Sequence, residues 1–161
     1  MKNRKSLALT VELLGLFILL LLVIVIITQV IVTSRAGSIR SRRLTQAVIL
    51  AESTAEAASA AEDIDGLADI MDSMENIVSV DKDGADMTGT VTAVARVALS
   101  NGSYDYYVIR TAREPSESAS GVFVNNTIDV YLSEGEAAEP SGEAGYELSS
   151  GNYFGSTGAD N

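Results

Sequence analysis

Residues 13–34 read LLGLFILLLLVIVIITQVIVTS, and the rest of the chain is understood relative to them. These 22 residues carry no charge and are almost all aliphatic. A helix rises 1.5 Å per residue, so the stretch is long enough to cross a hydrocarbon core of roughly 30 Å. A transmembrane helix is the expectation. The segment before it, MKNRKSL, is basic through Lys2, Arg4 and Lys5. A secretory signal peptide begins in the same way, but its apolar core is shorter and ends at a small-residue cleavage site, whereas this one ends in Thr33-Ser34-Arg35. An uncleaved anchor suits the pattern better. Lys/Arg counting does not orient it, because Arg35, Arg40, Arg42 and Arg43 follow the span as closely as the leader basics precede it.

Charge divides the chain sharply. Residues 1–43 carry a net +6 and residues 44–161 a net −17, for a total of −11. The C-terminal part is therefore acidic, which argues against nucleic acid as a partner. The chain has no Cys, His or Trp. Thiolate and imidazole chemistry, the Ser-His-Asp arrangement and the usual zinc ligand sets are removed together, so an enzyme is not expected. No disulfide can staple the acidic domain.

One acid stands at the edge of the span. An ionisable group there is costly unless it snorkels or finds a partner, which makes Glu12 a functional candidate. The plainer reading places it in the first helical turn, where a negative charge favours the dipole.

Residues 9–14, LTVELL, follow a Lys/Arg leader and precede an unbroken apolar helix. In this they resemble the N-terminus of type IV prepilins and of the pseudopilins of type II secretion and competence systems. The family pattern is a Gly, an aromatic residue, Thr, Leu, an aliphatic residue, Glu and two Leu, with cleavage after the Gly by a prepilin peptidase. This chain has neither the Gly nor the aromatic residue. Setting Glu12 fifth in the mature chain puts the cut between Leu7 and Ala8; a small residue before the cut puts it between Ala8 and Leu9. The resemblance implies that Glu12 is the assembly residue, matching the terminal amine of a neighbouring subunit. It implies a leader in the cytoplasm, a single pass through the cytoplasmic membrane, and a head that is extracytoplasmic or part of a cell-surface filament. The implied partners are other pilin-like subunits through helix packing, a prepilin peptidase, an assembly ATPase and an inner-membrane platform protein. No cofactor is implied.

Beyond the span, Ile39, Leu44, Ala47, Val48, Ala51, Ala55, Ala58 and Ala61 recur at three- and four-residue steps, with charged and polar residues between them. That is the spacing of an amphipathic helix. No proline occurs before Pro115, and Gly37 is only a weak point, so continuity with the span is expected. The whole helix would run from about Ser6 to Asp63. The segment LTQAVILAESTAEA, residues 44–57, is also similar to the exposed half of a pseudopilin first helix. Glu62, Asp63 and Asp65 crowd the end of this pattern, where the dipole disfavours acids, so a break is expected with Gly66 as C-terminal cap. Leu67, Ile70, Met71 and Met74 then form a short second helix with Asp65 as candidate N-cap.

In the acidic domain, residues 81–86, DKDGAD, have the alternate acids of half a calcium loop. The twelfth position is Thr92 rather than Glu, so an acidic solvated turn is expected and no metal site. Residues 90–99 and 104–111 flank Asn101-Gly102 and read as a hairpin. A loop with Pro115 follows, then a third strand over residues 122–132, bent or bulged at Asn125-Asn126. The sequon-like Asn101-Gly102-Ser103 and Asn125-Asn126-Thr127 read as turn chemistry. Residues 133–145 read as a mobile acidic loop, and residues 146–154 as a returning strand whose Tyr146, Tyr153 and Phe154 pack on the sheet.

The expected fold is α+β: a long N-terminal transmembrane helix continuing into an amphipathic helix packed on a small antiparallel sheet of three or four strands, pilin-like in outline. The expected organisation is a leader over 1–7, a span over 8–34, an extracytoplasmic continuation over 35–64, a head over 65–154 and a tail over 155–161. The expected function is a structural subunit, minor pilin or pseudopilin, of a type IV pilus, type II secretion system or competence pseudopilus. The competing expectation is a static single-pass anchor whose acidic extracytoplasmic domain binds another protein or the cell envelope.

Overall fold

The computed structural model describes residues 2–118, 121–133 and 144–155. The elements in chain order are α1 (Lys2–Ala60), α2 (Ile64–Asp72), β1 (Ile77–Ala85), β2 (Thr88–Ala98), β3 (Tyr104–Ser118), β4 (Gly121–Ser133) and β5 (Tyr146–Gly155). The chain forms two compact units, one ending at Arg43 and the other beginning at Leu44. The first consists of helix alone. The second holds the end of α1, α2 and the sheet, an α+β arrangement.

α1 passes through Gly37 without a break. A single glycine costs a helix about 1 kcal/mol, which the flanking helix formers outweigh. From Leu44 onward one face of α1 is buried, Ala47, Leu50, Ala51, Thr54, Ala57 and Ala58, and Ala61 just beyond its end is buried with it. The stripe has the expected period but is turned by about one position. Leu44 is half-exposed, while Leu50, Thr54 and Ala57 go inside. Thr54 tolerates this because its hydroxyl donates to the Leu50 carbonyl at 2.8 Å, so no polar group is left bare. The apolar side chains of this face share one core with Val91, Ala93, Ala95, Tyr107, Ile109, Ile128 and Val130.

α1 stops at Ala60, and the break comes where the acids crowd. The capping differs from expectation. Asp63, not Asp65, is the N-cap of α2, accepting from the Gly66 N–H at 2.7 Å. Gly66 lies within the first turn of α2 and caps nothing. Three residues between cap and donor is the ordinary N-cap spacing, and Asp63 alone has the extended backbone that the position requires. α2 then buries Ile64, Leu67, Ala68 and Met71. The three large side chains are each worth about 1.5–3 kcal/mol of burial. The Ile64 N–H donates to the Asp86 carbonyl at 2.7 Å and ties the start of α2 to the β1–β2 turn.

The sheet is an antiparallel meander in the order β1-β2-β3-β4-β5. The β2–β3 hairpin forms where Asn101-Gly102 predicts it. Gly102 takes φ +82, and Asn101 Oδ1 accepts from the Ser103 N–H and hydroxyl at 3.1 and 2.7 Å. The sheet has five strands rather than three or four because residues 77–85, which take in all of the expected acidic turn but Asp86, form β1. Asp81 and Asp83 stand opposite Thr92 and Thr90. β1 is an edge strand, and charges on an edge are compatible with pairing on its one inner side. The true turn is at Asp86-Met87, and Asp86 takes φ +53.

Two further expectations change. Pro115 lies in β3, opposite Val124, instead of in a loop. The β2 partner of β3 ends at Arg113, so that side of β3 is unpaired at Pro115 and no N–H is needed. Asn125-Asn126 makes neither turn nor bulge: β4 pairs regularly there with β3 and with β5. A ladder on both sides outweighs the local preference of Asn for turns. The register shift between Ile77 and Ser79 is in β1. The expected mobile loop lies largely outside the described residues, as does the tail after Gly155.

Candidate functional site

In the first unit, the apolar residues of α1 are exposed on every side in the isolated chain, from Val11 at 63% to Val32 at 62%. A helix that is apolar all round needs lipid or protein around it. α1 is long and apolar enough to cross a membrane. Two hydroxyls within the span are satisfied by their own helix. The Thr28 hydroxyl donates to the Ile24 carbonyl at 2.8 Å, and the Thr33 hydroxyl donates to the Gln29 carbonyl at 2.9 Å. Such internal pairing is what a lipid phase demands.

Glu12 lies in α1 between the exposed Val11 and Leu13, so its carboxylate stands on an apolar surface. Leu7, Ala8 and Leu9 are in the helical backbone of α1. Among the described residues no three carboxylates converge to hold a metal ion.

The second unit contains two features that composition and spacing do not reveal. The first is Arg113, on the α1-facing side of β3 and only 1% exposed. Its Nη2 donates to the Ala61 carbonyl at 2.7 Å and its Nη1 to the Asp63 carbonyl at 3.0 Å. Asn152 Nδ2 of β5 donates to the Ala58 carbonyl at 3.3 Å. The Ala58 and Ala61 carbonyls lie at and just past the end of α1, where intrahelical partners run out, and the sheet supplies donors for them; the Asp63 carbonyl opens α2 and also accepts from the Leu67 N–H at 3.1 Å. The guanidinium also lies over the Phe154 ring, 5.7 Å from its centroid. Burial lowers the Arg113 pKa, and the nearby Asp63 charge opposes that shift. Its cross-strand neighbour Asn126 is fully buried with both polar atoms of its side chain unpartnered, and Ser150, next in register, has a buried unpartnered hydroxyl. The signal for Arg113 was a lone basic residue in the segment assigned to a loop.

The second feature is an open groove of about 470 Å³ between α1, α2 and the start of β1. Ile49, Leu50, Ala57, Ile70, Met74 and Ile77 line it, and Glu56 and Glu75 also stand in its walls. Sequence reasoning did not place these residues together, since the groove joins residues 49–60 to 70–77 and to Ile109 of β3.

Of the aromatic residues expected on the sheet, Tyr146 packs against the core and Phe154 against Arg113, while Tyr153 is half-exposed on the opposite face. Comparison with protein-family models, with curated proteins and with solved structures finds no match.

Proposed function

We propose that this protein is a structural subunit of an extracytoplasmic filament, a minor pilin or pseudopilin of a type IV pilus, type II secretion or competence system. The observation that carries the reading is the continuity of α1. One helix holds an all-round apolar surface and then, from Leu44, the small-residue stripe that builds the core of the acidic head. Such a helix anchors the subunit in lipid before assembly, and its apolar surface is available to bundle with copies or relatives afterwards. Glu12 is the assembly residue, its charge matched in the bundle by the terminal amine of a neighbour. The leader is cytoplasmic, the head extracytoplasmic, and the role structural rather than catalytic. The partners are a prepilin peptidase, an assembly ATPase, an inner-membrane platform protein and other pilin-like subunits.

Co-expression with an active prepilin peptidase tests the reading. The expected result is loss of the leader, with a new N-terminus at Ala8 or Leu9 read by mass spectrometry. Glu12→Ala is expected to insert in the membrane as well as wild type and to be absent from sheared filaments. An intact leader under active peptidase, with neither wild type nor variant in sheared filaments, would favour a static single-pass anchor with a binding head, and assembly of Glu12→Ala equal to wild type would remove the role given to Glu12.

A further inference from the structure

We propose that the groove between α1 and α2 is the socket for the arginine-flanked Ile39 of a second copy of this chain. The inference rests on the subunit reading above and adds the contact by which one copy engages the next.

The groove floor is apolar, formed by Leu50, Ile70, Met74 and Ile77, and its walls carry two carboxylates, Glu56 and Glu75, both on exposed residues. An occupant that buries an apolar group here must also bring positive charge to the rim, or leave two acids facing a surface that repels or desolvates them. An all-apolar lipid tail satisfies only the floor. An acidic head satisfies neither part, and residues 44–161 have a net charge of −17.

The chain itself carries the complementary element. Ile39 is 55% exposed on α1. Arg35 precedes it by four residues and Arg42 follows it by three, so both share its helix face, and both are exposed. An apolar knob between two guanidinium groups matches an apolar socket between two carboxylates. The two patches are different surfaces of one chain, so the contact is heterologous: each copy offers its knob to one neighbour and its socket to another. Such contacts propagate into open filaments unless the rotation closes a ring.

The chain has no cysteine, which makes disulfide trapping clean. Ile39→Cys and Ser53→Cys place one thiol on the knob and one on the wall of the socket, in the full-length protein in membranes of the cells that assemble it. The double variant, oxidised, is expected to give a ladder of dimers, trimers and longer species. Differently tagged Ile39→Cys and Ser53→Cys copies, expressed together, are expected to stop at a dimer that carries both tags. The yield should fall as salt rises from 0.1 to 1 M, where the screening length shrinks from about 10 Å to about 3 Å. Glu56→Arg with Glu75→Arg should abolish the product, and adding Arg35→Glu with Arg42→Glu should restore it. Monomer alone, a disulfide within one chain, a cross-link only to some other protein, or no rescue by the double reversal would overturn the proposal. If Glu12→Ala abolishes assembly while wild-type filaments show no such cross-link, the subunit reading stands and this contact is wrong. If wild type does not assemble at all, the subunit reading itself fails.

Discussion

Arg113 Nη2 donates a 2.7 Å hydrogen bond to the carbonyl of Ala61, 52 residues earlier in the chain. With the second bond to the Asp63 carbonyl, a strand side chain closes the end of α1 and holds the corner into α2. The buried cation has no carboxylate in direct contact among the bonds of the described residues. It is offset by the carbonyls of Ala61 and Asp63 at the corner between α1 and α2 and by the face of Phe154.

Replacing Arg113 by Met keeps much of the volume and removes both donors. The Ala61 and Asp63 carbonyls then lose their side-chain partner at a buried corner, and a loss of about 2–4 kcal/mol is expected, in the range of two hydrogen bonds from a charged donor less the recovered desolvation. Denaturant unfolding of the detergent-solubilised protein measures it. Arg113→Lys should recover only part, because a single ammonium cannot span two carbonyls as the guanidinium fork does.

Asn126 is fully buried with both its amide nitrogen and oxygen unpartnered, directly between Arg113 and Ser150 in register. Burying an unsatisfied amide costs about 1–3 kcal/mol on the scale of protein substitutions. Asn126→Leu, similar in volume, is therefore expected to raise stability by about 1 kcal/mol, visible as a shift of the urea midpoint at constant slope. A drop in midpoint would show that the amide is satisfied in solution.

Gly84 pairs with Gly89 near the end of the β1–β2 hairpin and takes φ +128. A Cβ there would stand 2.4 Å from the Thr88 carbonyl oxygen, a backbone atom that cannot swing aside. Gly84→Ala should destabilise by about 2–3 kcal/mol, combining a backbone region closed to L-residues with a steric shift. The disturbance should be local. Amide exchange should accelerate in β1 and at the Ile64 N–H, which bonds to Asp86 in the same turn, before it does so in β3 and β4.

Lys82 of β1 donates to Asp65 of α2 at 2.5 Å, and this hydrogen bond is the main reason its pKa lies above the ordinary 10.5. A raised folded-state pKa means that the pair's contribution is complete below pH 10.5. It is lost as pH climbs through the raised value, because the folded state holds its proton longer than the unfolded one. Both side chains are exposed, so the effect is small. Lys82→Met should lower the plateau below pH 10.5 slightly and remove the equally small decline above pH 10.5 from the stability profile.

The elements legible from residues alone are those set by short-range physics. Twenty-two uncharged residues need a lipid or protein environment whatever follows them, and Asn101-Gly102 sets a tight turn because few residues accept its backbone. The Ala-rich spacing after Ile39 gave the period of the core-facing stripe, though not its rotation, since the face chosen depends on where the sheet lies. Glu12 stood out as an acid on an apolar edge, and the structure leaves it there.

What tertiary contact decided is of a different kind. Residues 77–85 become a strand because β2 offers them a partner, although their own acids and Gly84 favour a turn. Asn125-Asn126 stays straight because β3 and β5 hold it from both sides, and Pro115 enters β3 because one side of that strand has no partner there. Arg113 acquired its place only when β3 passed under the end of α1, and the acid-walled groove exists only because α1, α2 and β1 meet. Composition and periodicity report what each residue prefers by itself. Which unpaired carbonyl meets which donor, and which apolar walls face each other, is settled by long-range pairing that no local pattern encodes.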